Sequence, residues 1–197
     1  LEIIEHQVQT SDKIISDLLD FARIKGVERE QVSVAELVRS TLERFQVPAE
    51  VELVIEVPDD LPMVYADPRQ MEQVLGNLTT NACQAMVGGG KLSVSGEQFS
   101  ERKVSRAERS EQGEGDFDIT ERTPAARNDN QQEWVRIAVK DTGTGITPEN
   151  MKKLFEPLFT TKVKGIGLGL VVSQKLAEAN GGRIEVRTRP SAGTTFM

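Results

Sequence analysis

Between Asp67 and Gly90 the chain carries the signals of one uninterrupted helix. An aspartate able to cap the first turn precedes Pro68, a residue suited to the first helical position. Val74, Leu75, Leu78, Ala82, Ala85 and Met86 then recur at helical spacing. Gly88, Gly89 and Gly90 stop the run. A helix of that length with one apolar face has to lie against a second layer. Its sequence neighbours supply one. "VELVIEV" alternates Val51, Leu53, Ile55 and Val57, and "KLSVS" follows the glycines; both read as strands. The chain is therefore expected to pack helices on a sheet.

The remaining pattern fits that layering. "SVAELVRSTLERF" is a helix, with Ser33 and Glu36 at capping-box spacing and Leu37, Val38, Leu42 and Phe45 facing inward. In "EWVRIAVKDTG", Val135, Ile137 and Val139 share one side of a strand, and Asp141 has the same parity. A short helix follows Thr147-Pro148 to about Leu154, and another opens in "GIGLGL" and runs to about Asn180. "RIEVRT", "RPSAG" and "TTF" read as a terminal hairpin. Hairpins imply antiparallel pairing, and one sheet with helices on one face is the economical packing.

Two regions stand apart. Within an appendage spanning 1–27, residues 1 to about 25 read as a long helix, roughly 36 Å in length and ended by Gly26. Ile4, Val8, Ser11, Ile15, Leu18 and Ala22 follow a coiled-coil seam, so this helix needs a partner. From about 97 to 133 the pattern collapses into charged sequence without period, which predicts a mobile insertion, either a docking loop or merely solvated.

Composition narrows the function classes. With 197 residues there is room for one ordinary domain plus an appendage. A formal charge of -7 argues against a general nucleic-acid binder. The single cysteine, Cys83, rules out a disulfide framework and reads as a small packed residue. No apolar run approaches the roughly 20 residues of a membrane span. Beginning at Leu1 without a methionine and ending at Met197, the chain reads as a cytoplasmic fragment of something longer, whose own attachment to a membrane stays open.

Three features carry chemistry. Asn77 and Asn81 lie one turn apart at the edge of the apolar face and present two amide oxygens in a row. Such oxygens suit magnesium, although an exposed asparagine pair is also what plain solvation produces. In "DTGTGI", Asp141 points inward and needs a donor, either within a tight turn or from a ligand such as the adenine amino group. "GIGLGL" places glycine-rich backbone at a helix N-terminus, an anion site, with Lys162 and Lys164 nearby. It does not follow a strand, so neither a Walker-type loop nor the dinucleotide fingerprint applies.

In this order the motifs resemble the boxes of the histidine kinase ATP-binding domain. "NLTTNACQAM" is similar to its N box, "DTGTGI" to its first glycine box and "FEPLFTTK" to its F box. "GIGLGL" resembles the second glycine box and "GTTF" the last. The resemblance spans about residues 33–197, and "IISDLLDFARI" resembles the second helix of the dimerisation hairpin. It implies a Bergerat-type fold, a two-layer α/β sandwich with a mixed, mostly antiparallel sheet under three helices. It also implies ATP and magnesium as ligands, with Asn81 holding the ion and Asn77 near the phosphates. Asp141 would read the adenine amine, helped by Gly145 and, through water, by Thr194. Lys162 and the amides of Gly167, Leu168 and Gly169 would face the phosphates, and Phe155 and Phe159 would anchor the flap. Ala85, Gly143, Ile146, Thr160, Thr161, Gly165 and Leu170 complete the implied nucleotide site. The short flap resembles that of nitrogen-regulator sensor kinases.

The hydrolases of the wider superfamily carry a glutamate one turn before the magnesium asparagine. Here that position is Asn77, and an amide is no general base at neutral pH. Asn77, Asn81 and Lys162 are accordingly the expected catalytic set for phosphoryl transfer to a histidine. The acceptor is expected on a dimerisation hairpin of the same or a partner subunit, with a response regulator downstream and homodimerisation through the N-terminal helix. The only histidine, His6, lacks the acceptor's flanking residues. The isolated chain is therefore expected to bind ATP without phosphorylating itself. A passive nucleotide-gated dimerisation module and a superfamily ATPase are the alternatives.

Overall fold

The computed structural model describes residues 26–102, 131–162 and 165–197. The expected N-terminal helix, with His6, lies outside them, as do residues 103–130 and Val163 and Lys164.

The described elements are β1 (Glu30–Val32), α1 (Val34–Arg44), β2 (Val51–Glu56), β3 (Val64–Ala66), α2 (Pro68–Ala85), β4 (Gly90–Arg102), β5 (Gln131–Asp141), α3 (Pro148–Met151), α4 (Gly169–Ala179), β6 (Val186–Thr188) and β7 (Thr194–Phe196). Five strands form one sheet in the order β2-β4-β5-β7-β6. β2 runs parallel to β4, and the other neighbours are antiparallel. A parallel pair needs a crossover, and α2 is that crossover. β1 and β3 pair separately.

The capping signals act as expected. The Ser33 hydroxyl accepts from the Glu36 amide at 3.4 Å. The Asp67 carboxylate accepts from the Arg69 and Gln70 amides at 3.1 and 3.2 Å, with Pro68 in the first turn. From α2, Val74, Leu75, Leu78, Ala82 and Met86 share one buried cluster with Leu92, Val94, Val139 and Phe196 of the sheet. Leu37, Val38 and Leu42 of α1 and Val172 and Leu176 of α4 join it. The result is a two-layer α/β sandwich with a mixed, mostly antiparallel sheet.

One boundary needs correction. Residues 97–102 and 131–133, expected to be irregular, are strand, with β4 and β5 in register out to Arg102↔Gln131. Their outer halves lack aliphatic alternation but pair through charge and rings. Arg136 reaches Glu97 at 2.9 Å and lies 4.2 Å over Phe99. Arg183 forks onto Glu101 at 3.0 and 3.1 Å. β1 and β3, three residues each, carry no periodic signal and were not expected. α3 ends at Met151, short of the expected Leu154. No helix among the described residues is long and apolar enough to cross a membrane.

Candidate nucleotide site

α2 and α4 run antiparallel, joined at both ends of their contact. At one end Asn180 Oδ1 accepts from the Asp67 amide at 2.8 Å, and Asn180 Nδ2 donates to Gln70 Oε1 at 2.8 Å. At the other, Asn77 Nδ2 donates to the Gly169 carbonyl and to Ser173 Oγ, both at 3.3 Å. Asn77 thus clasps the start of α4. The last turns of α2, with Asn81 and Ala85, continue past that start towards the end of β5.

That strand end carries Asp141, only 2% exposed. Its Oδ1 accepts from the Gly143 amide at 2.8 Å and the Thr194 amide at 3.2 Å. Oδ2 takes no hydrogen bond from the described residues. Burial pushes the Asp141 carboxyl up from its ordinary value, and the two amides and the Lys162 charge pull the other way. A half-satisfied buried carboxylate is a standing acceptor for a ligand N–H.

The loop after Asp141 is tied to helix and hairpin. The Thr144 amide donates to the Ala85 carbonyl at 3.2 Å. Gly145 has φ +67°, and a Cβ there would run into the Arg189 carbonyl, so no other residue fits without strain. The Ile146 amide donates to Thr188 Oγ1 at 2.9 Å. Thr188 Oγ1 in turn donates to the Gly193 carbonyl at 3.0 Å and lies 3.1 Å from Thr194 Oγ1. Its one proton is then committed, so the Thr194 hydroxyl is the donor of that last bond and keeps lone pairs to accept with. Sequence reasoning missed Thr188. Counting the terminal hairpin's register, which sets Thr188 opposite Thr194, would have found it.

On the far side, α4 starts at Gly169 with no side-chain cap and no acidic residue in its first turn. Its first amides are open to an anion. Gly167, at φ +74°, turns the chain into the helix, and its carbonyl accepts from the Leu158 amide at 3.1 Å. Leu168 is buried and Leu170 packs on the core, so only their backbone faces this end. Phe159 is half-buried, with the Lys153 ammonium 6.0 Å from its ring. The Lys162 amide donates to Thr160 Oγ1 at 3.0 Å, and the Gly165 amide to the Lys162 carbonyl at 3.2 Å. Thr161 is exposed. The Lys162 ammonium donates to Asn81 Oδ1 at 2.6 Å and to Gln84 Oε1 at 2.7 Å. The structure therefore gathers Asn77, Asn81, Ala85, Asp141, Gly143, Lys162, Gly169 and Thr194 around one region. Phe155 is half-buried, and Lys164 lies outside the described residues.

Among the described residues no cluster of three histidine, cysteine or acidic side chains could hold a metal alone. The donor set instead suits an ion that arrives with a ligand. Neutral amide oxygens already converge on an ammonium, and magnesium takes most of its oxygens from phosphates and water.

An uncapped helix start clasped by α2 and a buried aspartate beside glycine turns, carried on one α/β sandwich, are the parts that a nucleotide-binding domain needs. Residues 66–197 match the family described as Histidine kinase-, DNA gyrase B-, and HSP90-like ATPase, and the chain belongs to that family. It is 33% identical to the signal transduction histidine-protein kinase AtoS of Escherichia coli (strain K12), over 100% of this chain and 28% of that protein. It is 28% identical to sporulation kinase E of Bacillus subtilis (strain 168), over 98% of this chain and 22% of that one. The chain thus spans less than a third of either relative. Among solved structures, the nucleotide-free catalytic domain of histidine kinase ThkA superposes with TM-score 0.62 and 27% identity, covering 86% of this chain and 92% of that one. The ThkA chain solved with the response regulator TrrA shares the fold at TM-score 0.68 and 23% identity, covering 99% and 48%.

Proposed function

We propose that this chain is the ATP-binding catalytic part of a sensor histidine kinase and hands the γ-phosphoryl group of ATP to a histidine on a separate hairpin. The observation that carries the choice of acceptor is Asn77. A hydrolase needs a base at that helix position, and here an amide donates its protons to α4. Positioning and charge neutralisation then supply the catalysis.

Asp141 Oδ2 receives the adenine amine, with Thr194, Gly143, Gly145 and Ile146 forming that end of the pocket. Ala85 holds the loop against α2. The phosphates lie towards the backbone of Gly165, Gly167, Leu168, Gly169 and Leu170, with Phe159, Thr160 and Thr161 flanking. Asn81 holds magnesium, which neutralises charge on the phosphates when bound; Lys162 adds a cation and Asn77 fixes α4. The acceptor is a dimerisation hairpin, of the same or a partner subunit, in a homodimeric parent, and a response regulator is the next carrier. ThkA, solved with TrrA, is the precedent for that partner. Dependence on cellular ATP places the domain in the cytoplasm.

The test supplies an acceptor hairpin in trans with γ-labelled ATP and magnesium. Label on the hairpin histidine, lost in Asn81→Ala, is the expected result. Tight ATP binding with no transfer would instead establish a passive nucleotide-gated module.

A further inference from the structure

Lys162 ends on α2 rather than over the glycine turn. Its ammonium meets two amide oxygens, Asn81 Oδ1 at 2.6 Å and Gln84 Oε1 at 2.7 Å. Residues three apart on a helix are surface neighbours, which is why both oxygens converge on one point. An amide oxygen is a neutral, hard donor that serves an ammonium and a divalent ion alike. Two cations cannot share that point, because like charges so close repel.

We propose that Gln84 completes, with Asn81, a two-oxygen cation cradle, and that Lys162 and the nucleotide's magnesium ion occupy it by turns. The proposal rests on the nucleotide site assigned above. Lys162 holds the cradle together before nucleotide binds and gives it up when the ion arrives. It is then released to meet the phosphates. Gln84 is a metal-positioning residue in this scheme, and it sits on the exposed edge of α2, where substitution costs the fold little.

Displacement of a fluorescent ATP analogue from the whole chain gives the ATP affinity in excess magnesium and in EDTA. The ratio of the two Kd values is the gain from the metal, a coupling factor between two ligands. Gln84→Leu is expected to shrink the gain at least about fivefold with little change in EDTA. Gln84→Glu keeps an oxygen and is expected to retain or raise the gain. Lys162→Met is expected to weaken binding in EDTA yet raise the gain, since no ammonium competes. Melting midpoints within about 2 °C of the parent confirm that the variants are folded. An unchanged gain in Gln84→Leu, or one not raised in Lys162→Met, overturns the cradle while leaving the nucleotide site standing. A parent chain that binds no ATP in either buffer overturns the site itself, and the cradle with it.

Discussion

At the scale of single residues, the proposed adenine selectivity rests on Asp141. Its burial raises the carboxyl pKa in the folded state. Between the unfolded and folded values the native state binds more protons than the unfolded one, so stability falls as pH rises through that interval and is level on either side. Asp141→Asn keeps an acceptor for the Gly143 and Thr194 amides and removes the loss. The variant should therefore melt increasingly above the parent as pH rises through and beyond the ordinary carboxylate range, until the parent's raised carboxyl is fully ionised. A constant offset between the two melting curves would contradict the account. Thr188 is the second test at this scale. Thr188→Val strips the hydroxyl that joins the Ile146 amide, the Gly193 carbonyl and Thr194. Nucleotide affinity should drop by about 1–2 kcal/mol, and Thr188→Ser should restore most of it, in a titration of ADP.

Among the elements, α2 and α4 form the frame of the site, and their far ends are fastened by Asp67 and Asn180. Asp67 also accepts from the Glu28 amide at 3.0 Å, so it ties the incoming chain to the start of α2. Asp67→Ala should cost about 1–2 kcal/mol in urea unfolding. Asn180→Ala should cost about 1–3 kcal/mol, and the double variant close to the sum, because Asn180 is held by the Asp67 backbone amide, which alanine keeps. A double variant far from the sum would contradict this, since it would mean that the Asp67 side chain and Asn180 act through each other. These elements were largely legible in the sequence. α2 declares itself through its cap, its proline, its 3.6-residue stripe and its glycine stop, and Asp141 through strand parity. The outer halves of β4 and β5 were not legible, because cross-strand charge and ring pairs such as Arg136 with Glu97 and Phe99 replace aliphatic alternation there. β1 and β3 are too short to show a period. Within the site, Thr188 and Gln84 were hidden for another reason. A threonine in a hairpin or a glutamine on an exposed helix edge looks like ordinary surface until the partner element is placed against it.

For the whole molecule, the account is a nucleotide-binding catalytic domain that acts on a histidine presented from elsewhere. The isolated chain should bind ATP and take up no label from it; stable label that disappears in His6→Ala would contradict this. We propose that the site formed by α2, α4 and the end of β5 reads adenine through the Asp141 carboxylate. The direct measurement is the affinity of the chain for ATP against GTP, with magnesium, in the parent and in Asp141→Asn. Adenine offers an amine to the carboxylate where guanine offers a carbonyl, so the parent should prefer ATP by at least about tenfold. In Asp141→Asn, whose amide can donate as well as accept, that preference should collapse or reverse. Equal affinity of the parent for ATP and GTP, or a preference for ATP that survives in Asp141→Asn, would contradict the account.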